Sequence, residues 1–545
     1  MGRSMHHSTT VLLVCLIVCG QRLFGQESQP SVSLRGETID SAAIARIIDE
    51  GMNRSQVMDM LSWLTDVCGP RLTGSPGFAK AVTWAKARLS SMGLQNVHVE
   101  GWAPFGRSWS LNRYSAHITD PTVFPLLSYP RAWSPGTGGK VTGKVIYLDA
   151  RTDSALETFH GKLKGNFVLL GAPVPVRAHF EPLAVRESDS TLLSLANAEL
   201  PVPRGVRRRL VTQEARQQAL IDYKKLLMCQ DEGAAALITP SRGDGGNVFV
   251  QAAAIPAHPD TPYASRPQIQ DLSAPDVLPQ VTVAAEPFDR IVRILAHGIP
   301  VSMEMDLDVT FYRADSGYNV IAEMPGTDLE DEVVMIGAHL DSWHGGTGAT
   351  DNGTGVATCM EAMRILEALH LKPRRTIRVA LWGAEEQGLL GSRAYVRRHF
   401  GGREGDSRRP DVPVSYKPEA ENFCAYFNND NGTGKVRGIY LQGNEALRPI
   451  FRAWLAPFRS MGASTITVAN TGSTDHVSFD AIGLPGFQFI QDDIEYFSRT
   501  WHSTMDVYDR VQADDVKQAS IIMAAFAYNA AMRDERLPRK PPLTH

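Results

Sequence analysis

No apolar run in the chain approaches the roughly 20 residues that a membrane-spanning helix needs. The N-terminal run VLLVCLIVCG, Val11 to Gly20, falls well short, and later segments are too short or too charged. An excess of one charge is also lacking. The 55 Lys and Arg against 59 Asp and Glu leave a formal net charge of -4, which gives no argument for a nucleic-acid or anionic-membrane partner. The basic run RGVRRR, Arg204 to Arg209, has no aromatic residues interleaved and reads as a solvated loop rather than a processing or docking site. Internal repeats and low-complexity tracts are absent, which excludes solenoid and fibrous classes. Cysteine is scarce, at 6 of 545 residues, so no dense disulfide framework defines the fold.

What is present is globular. A chain of 545 residues exceeds one ordinary core and has room for two or three domains. Its 43% hydrophobic and 21% charged residues belong to a folded protein. Arg3, the short apolar run and a small residue near Gly25 read as a signal peptide over residues 1–25, so the expected location is secreted or periplasmic. An uncleaved anchor is the other reading of that segment. Export permits disulfides, and the four cysteines beyond it, Cys68, Cys229, Cys359 and Cys424, allow three full pairings. The apolar neighbours of Cys359 and Cys424 favour buried free thiols there.

Helical spacing dominates from Ser41 to Gly93, and NVHVEGW follows as an alternating strand. From about Pro130 the texture changes to short strands (GKVIYLD, GNFVLLG, AALITP, PQVTVA) rich in Gly and Pro, ending near Tyr312. SPGTGGKV, Ser134 to Val141, lacks the first glycine and the hydroxyl residue of a phosphate loop and is an ordinary loop. From Gly317, strands YNVIAEM, EVVMIGAHL, TIRVALWG, ENFCAYFNND and LPGFQFIQ alternate with helices. This pattern predicts an α/β fold with a mixed, largely parallel sheet flanked by helices. The expected divisions are 34–128 and 313–535 for the main domain and 129–312 for an inserted β-rich domain.

Ligands of open α/β sheets bind beyond the carboxyl ends of the strands. The residues at those ends are His339 and Asp341, Asp351 after a glycine-rich loop, the adjacent pair Glu385 and Glu386, Asp430, and His502 after the last strand. Imidazole and carboxylate are good zinc ligands. Five candidate ligands are too many for one catalytic zinc and suit two ions sharing a carboxylate. Asp341, two residues from His339 on an extended segment, points to the same side and is placed to accept the far ring N–H.

The motifs GAHLDSW, GATDNGTGVA, WGAEEQGLLGS and NNDNG, together with His502, resemble the dinuclear zinc exopeptidase family, which includes leucyl-type aminopeptidases and glutamate carboxypeptidases. The resemblance covers roughly Gly317 to the C-terminus and, more weakly, the N-terminal helices. It implies a phosphorylase/hydrolase-like fold, two Zn2+ per subunit, a peptide substrate, an inserted protease-associated domain and a homodimer. It assigns His339 and Asp430 to one zinc, Glu386 and His502 to the other, and Asp351 to the bridge. Glu385 becomes the general base and Asp341 orients His339. A cis peptide at Asp351–Asn352 is expected, and Asn352 stands where many relatives have aspartate. TGSTDHVSF places Asp475 and His476 near substrate; a structural pair is the alternative. His344 lies off the ligand pattern. Two other functions sit on related folds: a receptor, which would lack ligands, and an N-terminal glutaminyl cyclotransferase, which uses one zinc. The resemblance favours dipeptides or short peptides with a free α-amine. Arg499 and Asp493, both near His502, leave amino- and carboxy-terminal recognition undecided.

Overall fold

The computed structural model describes residues 37–201, 212–262, 265–406 and 412–540. The expected signal peptide and the RGVRRR run lie outside the described residues.

The N-terminal helices form where capping and periodicity agree. Asp40 accepts from the backbone N–H of Ala42 and Ala43 and starts the helix Ser41–Asn53, whose Ala43, Ile44 and Ile47 are buried. Ser75 caps Phe78 N–H at 3.2 Å, and Pro76 opens the helix Pro76–Ser91. Gly51 lets the first helix approach the C-terminal helix Ala513–Met532, since a Cβ there would lie 2.3 Å from Ile521 Cγ1.

Eight strands build the main sheet, in the order Gln95–Trp102, Gly317–Met324, Arg375–Trp382, Leu329–His339, Phe423–Asn428, Gly486–Gln491, Val436–Tyr440 and Thr465–Thr467. The four central strands, from Arg375–Trp382 to Gly486–Gln491, run parallel. The sheet is therefore mixed, with its parallel part in the middle and antiparallel pairings toward the sides. One face packs on the helices Thr354–Ala368 and Ala513–Met532, both almost wholly buried. The other carries an aromatic cluster of Trp382, Tyr395, Phe400, Phe423, Tyr426 and Phe479. Burial on both faces explains why these strands read as nearly continuous apolar runs.

A second eight-stranded sheet contains the short strands that follow Pro130. It is entered and left through one antiparallel ribbon, in which Gly106–Asp120 pairs with Ser302–Ala314 from Gly106 opposite Ala314 to Asp120 opposite Ser302. This sheet thus begins at Gly106, ahead of the composition change near Pro130. The entry strand has ordinary mixed polarity and none of the Gly-Pro texture that marks the rest. Cys68, Cys229, Cys359 and Cys424 are all buried and unpaired. Among the described residues no helix is long and apolar enough to cross a membrane.

Candidate metal centre

The parallel strands deliver their carboxyl ends to one edge. His339 ends its strand in register with Trp382. Three residues beyond Trp382 comes Glu385, after Ala384 takes a left-handed backbone (φ 58°) and turns the chain sharply. Adjacent side chains then diverge. Glu385 Oε2 lies 4.0 Å from His339 Nε2, whereas Glu386 Oε2 lies 3.0 Å from His502 Nε2 and accepts from Trp343 Nε1 at 2.7 Å.

Asp351 sits between the two histidines. Its Oδ1 is 3.3 Å from His339 Nε2 and its Oδ2 is 3.1 Å from His502 Nε2. Asp430 Oδ1 is a further 3.3 Å from His339 Nε2. Two histidine–carboxylate groups therefore meet at opposite oxygens of one aspartate. These separations match the edges of a tetrahedron whose corners lie about 2.0–2.2 Å from a shared cation. His339 Nε2, Asp351 Oδ2 and Glu386 Oε1 are buried with no hydrogen-bond partner, which native proteins rarely leave unexplained. The donor set and its orphaned atoms fit a pair of divalent ions.

The electrostatics point the same way. Burial pushes Glu385 well above the ordinary glutamate value, with Asp430 and Glu386 adding to the rise against the pull of His339. Burial, then Asp351, raises Glu386 to about 7. Burial also raises Asp430. His502 is raised to about 10: burial opposes protonation, but Glu386 and Asp351 outweigh it. Burial would lift Asp351 as well, yet the adjacent imidazoles of His339 and His502 hold it far below the usual carboxylate range. The edge carries more negative charge than two histidines can balance.

Supporting residues come from distant parts of the chain. Asp351 lies in a kinked segment with a cis peptide bond to Asn352. Asp506 accepts from the N–H of Thr350 and of Asp351, at 2.5 and 3.2 Å. Asn352 donates to Asn429 O and accepts from Gly355 N–H, tying the Asp351 turn to the Asp430 loop. Arg71, fully buried, donates to Leu340 O, Thr347 O and Gly348 O at 2.7 to 2.9 Å and braces the loop from His339 to Asp351. His502 has a left-handed backbone (φ 57°), stacks on Trp501, and has the Gln251 side-chain amide 2.6 Å from its Nδ1. Nothing in the local sequence around Arg71, Gln251 or Asp506 marks these roles; each acts across a fold-dependent contact.

One expectation, for Asp341, is modified, and the pair Asp475 and His476 divides. His339 Nδ1 is 3.0 Å from the backbone carbonyl of Asp341 and 3.6 Å from its carboxylate. The Asp341 carboxylate instead accepts from the N–H of Glu385 and Glu386, at 3.1 and 3.3 Å, because the sharp turn after Trp382 presents both amides to it. His476 Nε2 is engaged by the Gln442 amide and lies 3.3 Å from Thr471 O, a structural arrangement. Asp475 differs: both carboxylate oxygens are buried without a hydrogen-bond partner, and burial raises it to about 7. His344 stays outside the ligand set, with Nε2 on Pro130 O at 2.7 Å, and burial lowers it to about 4.

Residues 319–527, which hold every one of these candidate ligands, match Peptidase family M28. The chain also resembles individual peptidases over most of its length. It is 23% identical to carboxypeptidase Q of Homo sapiens over 527 residues, covering 96% of this chain and 95% of that protein. A solved M28 peptidase precursor from Shewanella amazonensis is 25% identical, with a TM-score of 0.64, over 92% of this chain and 98% of its own. The zinc aminopeptidase of Bacillus subtilis shares the fold at 17% identity and a TM-score of 0.52, covering 88% and 96% of the two chains.

Proposed function

We propose that the chain is a zinc-dependent exopeptidase acting on dipeptides or short peptides. The observation that carries this reading is the division of Asp351, with Oδ1 facing His339 and Asp430 and Oδ2 facing Glu386 and His502. His339 and Asp430 would hold one zinc, Glu386 and His502 the other, with Asp351 common to both. Zinc bound there supplies Lewis acidity toward a peptide carbonyl and acidifies water.

The chain's own residues do the rest. Glu385, buried at the edge of the cluster and raised by that burial, accepts the proton of the attacking water and returns it to the leaving amine. Asp341 fixes the turn that separates the two glutamates, through the amides of both. Trp343 holds Glu386 in its ligand position. The second sheet is read as a protease-associated domain that supplies one wall of the site.

The apolar segment from Val11 to Gly20 supports export, and the family likeness supports a homodimer. The reading is tested by removing metal with a chelator, measuring dipeptide hydrolysis, and restoring zinc. Activity lost and regained, with two zinc ions per chain by elemental analysis, is the expected result. Full activity in metal-free protein overturns it.

A further inference from the structure

Beside His502 lies a cavity of about 210 Å3. Its walls come from both sheets: Trp501 and His502 from the peptidase part, and Arg131, Arg242, Phe249 and Gln251 from the inserted part. The two parts are stitched together here, since Val250 N–H donates to His502 O at 2.8 Å and Thr504 N–H to Val248 O at 2.9 Å.

The two arginines are unusual for what they lack. Among the described residues neither forms an ion pair. Arg131 Nε is shielded from solvent and has no hydrogen-bond partner. Arg242 is pinned by aromatic faces, with its guanidinium 4.0 Å from the Phe249 ring centroid and 5.0 Å from that of Trp501. Burial lowers both below the ordinary arginine value, with no carboxylate opposing it. Arg131 is half-buried with its Nε shielded, and a desolvated cation without an anion is costly unless a ligand supplies one, whereas Arg242 is exposed and held against the two rings. Arginine is also the side chain best matched to a planar carboxylate. Arg499, the cation that the sequence places near His502, is instead 3.3 Å from Glu495 and already paired.

We infer that Arg131 and Arg242 form a subsite for a carboxylate of the peptide substrate, next to the metal centre. The inference rests on the exopeptidase reading and specifies which end of the substrate the inserted sheet recognises. The spacing is suitable. A residue spans about 3.3–3.6 Å of extended chain, so the terminal carboxylate of a dipeptide lies one residue beyond the scissile carbonyl. The cavity shares His502 with the metal ligands. The same chemistry is offered by an α-carboxylate or by an acidic side chain.

The experiment compares Ala-Leu, Ala-Leu-amide and Ala-Glu-amide on the zinc-loaded parent and on Arg131→Gln, Arg242→Gln and Arg131→Lys. Binding of the same peptides to chelator-stripped protein is measured by calorimetry. The parent is expected to favour Ala-Leu over its amide by about tenfold or more in KM and in affinity. Both glutamine variants should bring that ratio toward one, and Arg131→Lys should retain part of it. Recovery of affinity by Ala-Glu-amide assigns the subsite to side chains; its absence assigns it to the α-carboxylate. Arg242 is exposed, so Arg242→Gln keeps the test open if Arg131→Gln fails to fold. Equal handling of Ala-Leu, Ala-Leu-amide and Ala-Glu-amide by the parent, or unchanged ratios among them in Arg242→Gln, overturns the inference while leaving the peptidase reading in place. Preferential binding of the acid, lost in the variants, without any hydrolysis by the parent supports the subsite and overturns the peptidase reading.

Discussion

The side-chain amide of Gln251 lies 2.6 Å from Nδ1 of His502, so a residue of the inserted sheet positions a candidate ligand of the metal centre. For His502 to offer its Nε2 lone pair to a metal, the ring proton must sit on Nδ1, and the Gln251 amide, whose Nε2 is the atom at 2.6 Å, accepts it when turned to present Oε1. Gln251→Leu should weaken zinc binding by about 10- to 100-fold. Titration of the stripped protein with zinc in competition with a chromogenic chelator checks this. Unchanged affinity would remove Gln251 from the site.

Glu385→Gln keeps the size and burial of the side chain and removes its basicity. Zinc content should stay at the parent level while peptide turnover falls by about 10²- to 10⁴-fold. Elemental analysis and kinetics on the same preparation separate the two effects. Asp351→Ala behaves oppositely, losing zinc from both groups because each uses one of its oxygens.

Asp475 makes the metal-free protein pH-sensitive. Its folded value, about 7, stands above the ordinary 3.8 because of burial. Between these values the folded chain holds a proton that the unfolded chain has released. Stability therefore falls as pH rises from about 4 to about 7 and levels off above that. Asp475→Asn should flatten this slope in thermal melts of chelator-treated protein. A variant with the parent's slope would show that Asp475 does not contribute to it.

Arg71 is a structural residue by its contacts. Arg71→Met strands the carbonyls of Leu340, Thr347 and Gly348 in a buried setting. A loss of about 3–5 kcal/mol of stability is expected, read from urea unfolding of stripped protein. A loss below about 1 kcal/mol would mean that water replaces the guanidinium.

Much of the catalytic edge was legible in the sequence because strand ends and ligand chemistry are local signals. His339, Glu386 and Asp430 each follow an apolar run directly, and the sheet had only to align those runs. Asp351 and His502 stood out by motif. The supporting residues carried no such signal. Arg71 reads as one more arginine after a glycine-proline pair, and Gln251 as a polar residue in a loop. Their roles depend on contacts spanning more than two hundred residues of sequence, |i−j| 269 for Arg71 to Leu340 and 251 for Gln251 to His502. Asp341 failed in detail for a related reason. Alternation along an extended segment gave its side, but the turn at Ala384 decided which donors met it there.

The ribbon of Gly106–Asp120 with Ser302–Ala314 carries the chain into and out of the second sheet. Among that sheet's contacts with the main part is the His502 loop, through Val248, Val250 and Gln251. His339 and Asp430 instead follow directly from neighbouring strands of the main sheet. The two oxygens of Asp351 thus answer to different parts of the molecule. One faces ligands carried by the main sheet alone, while the other faces His502, whose loop is held in part by the second sheet.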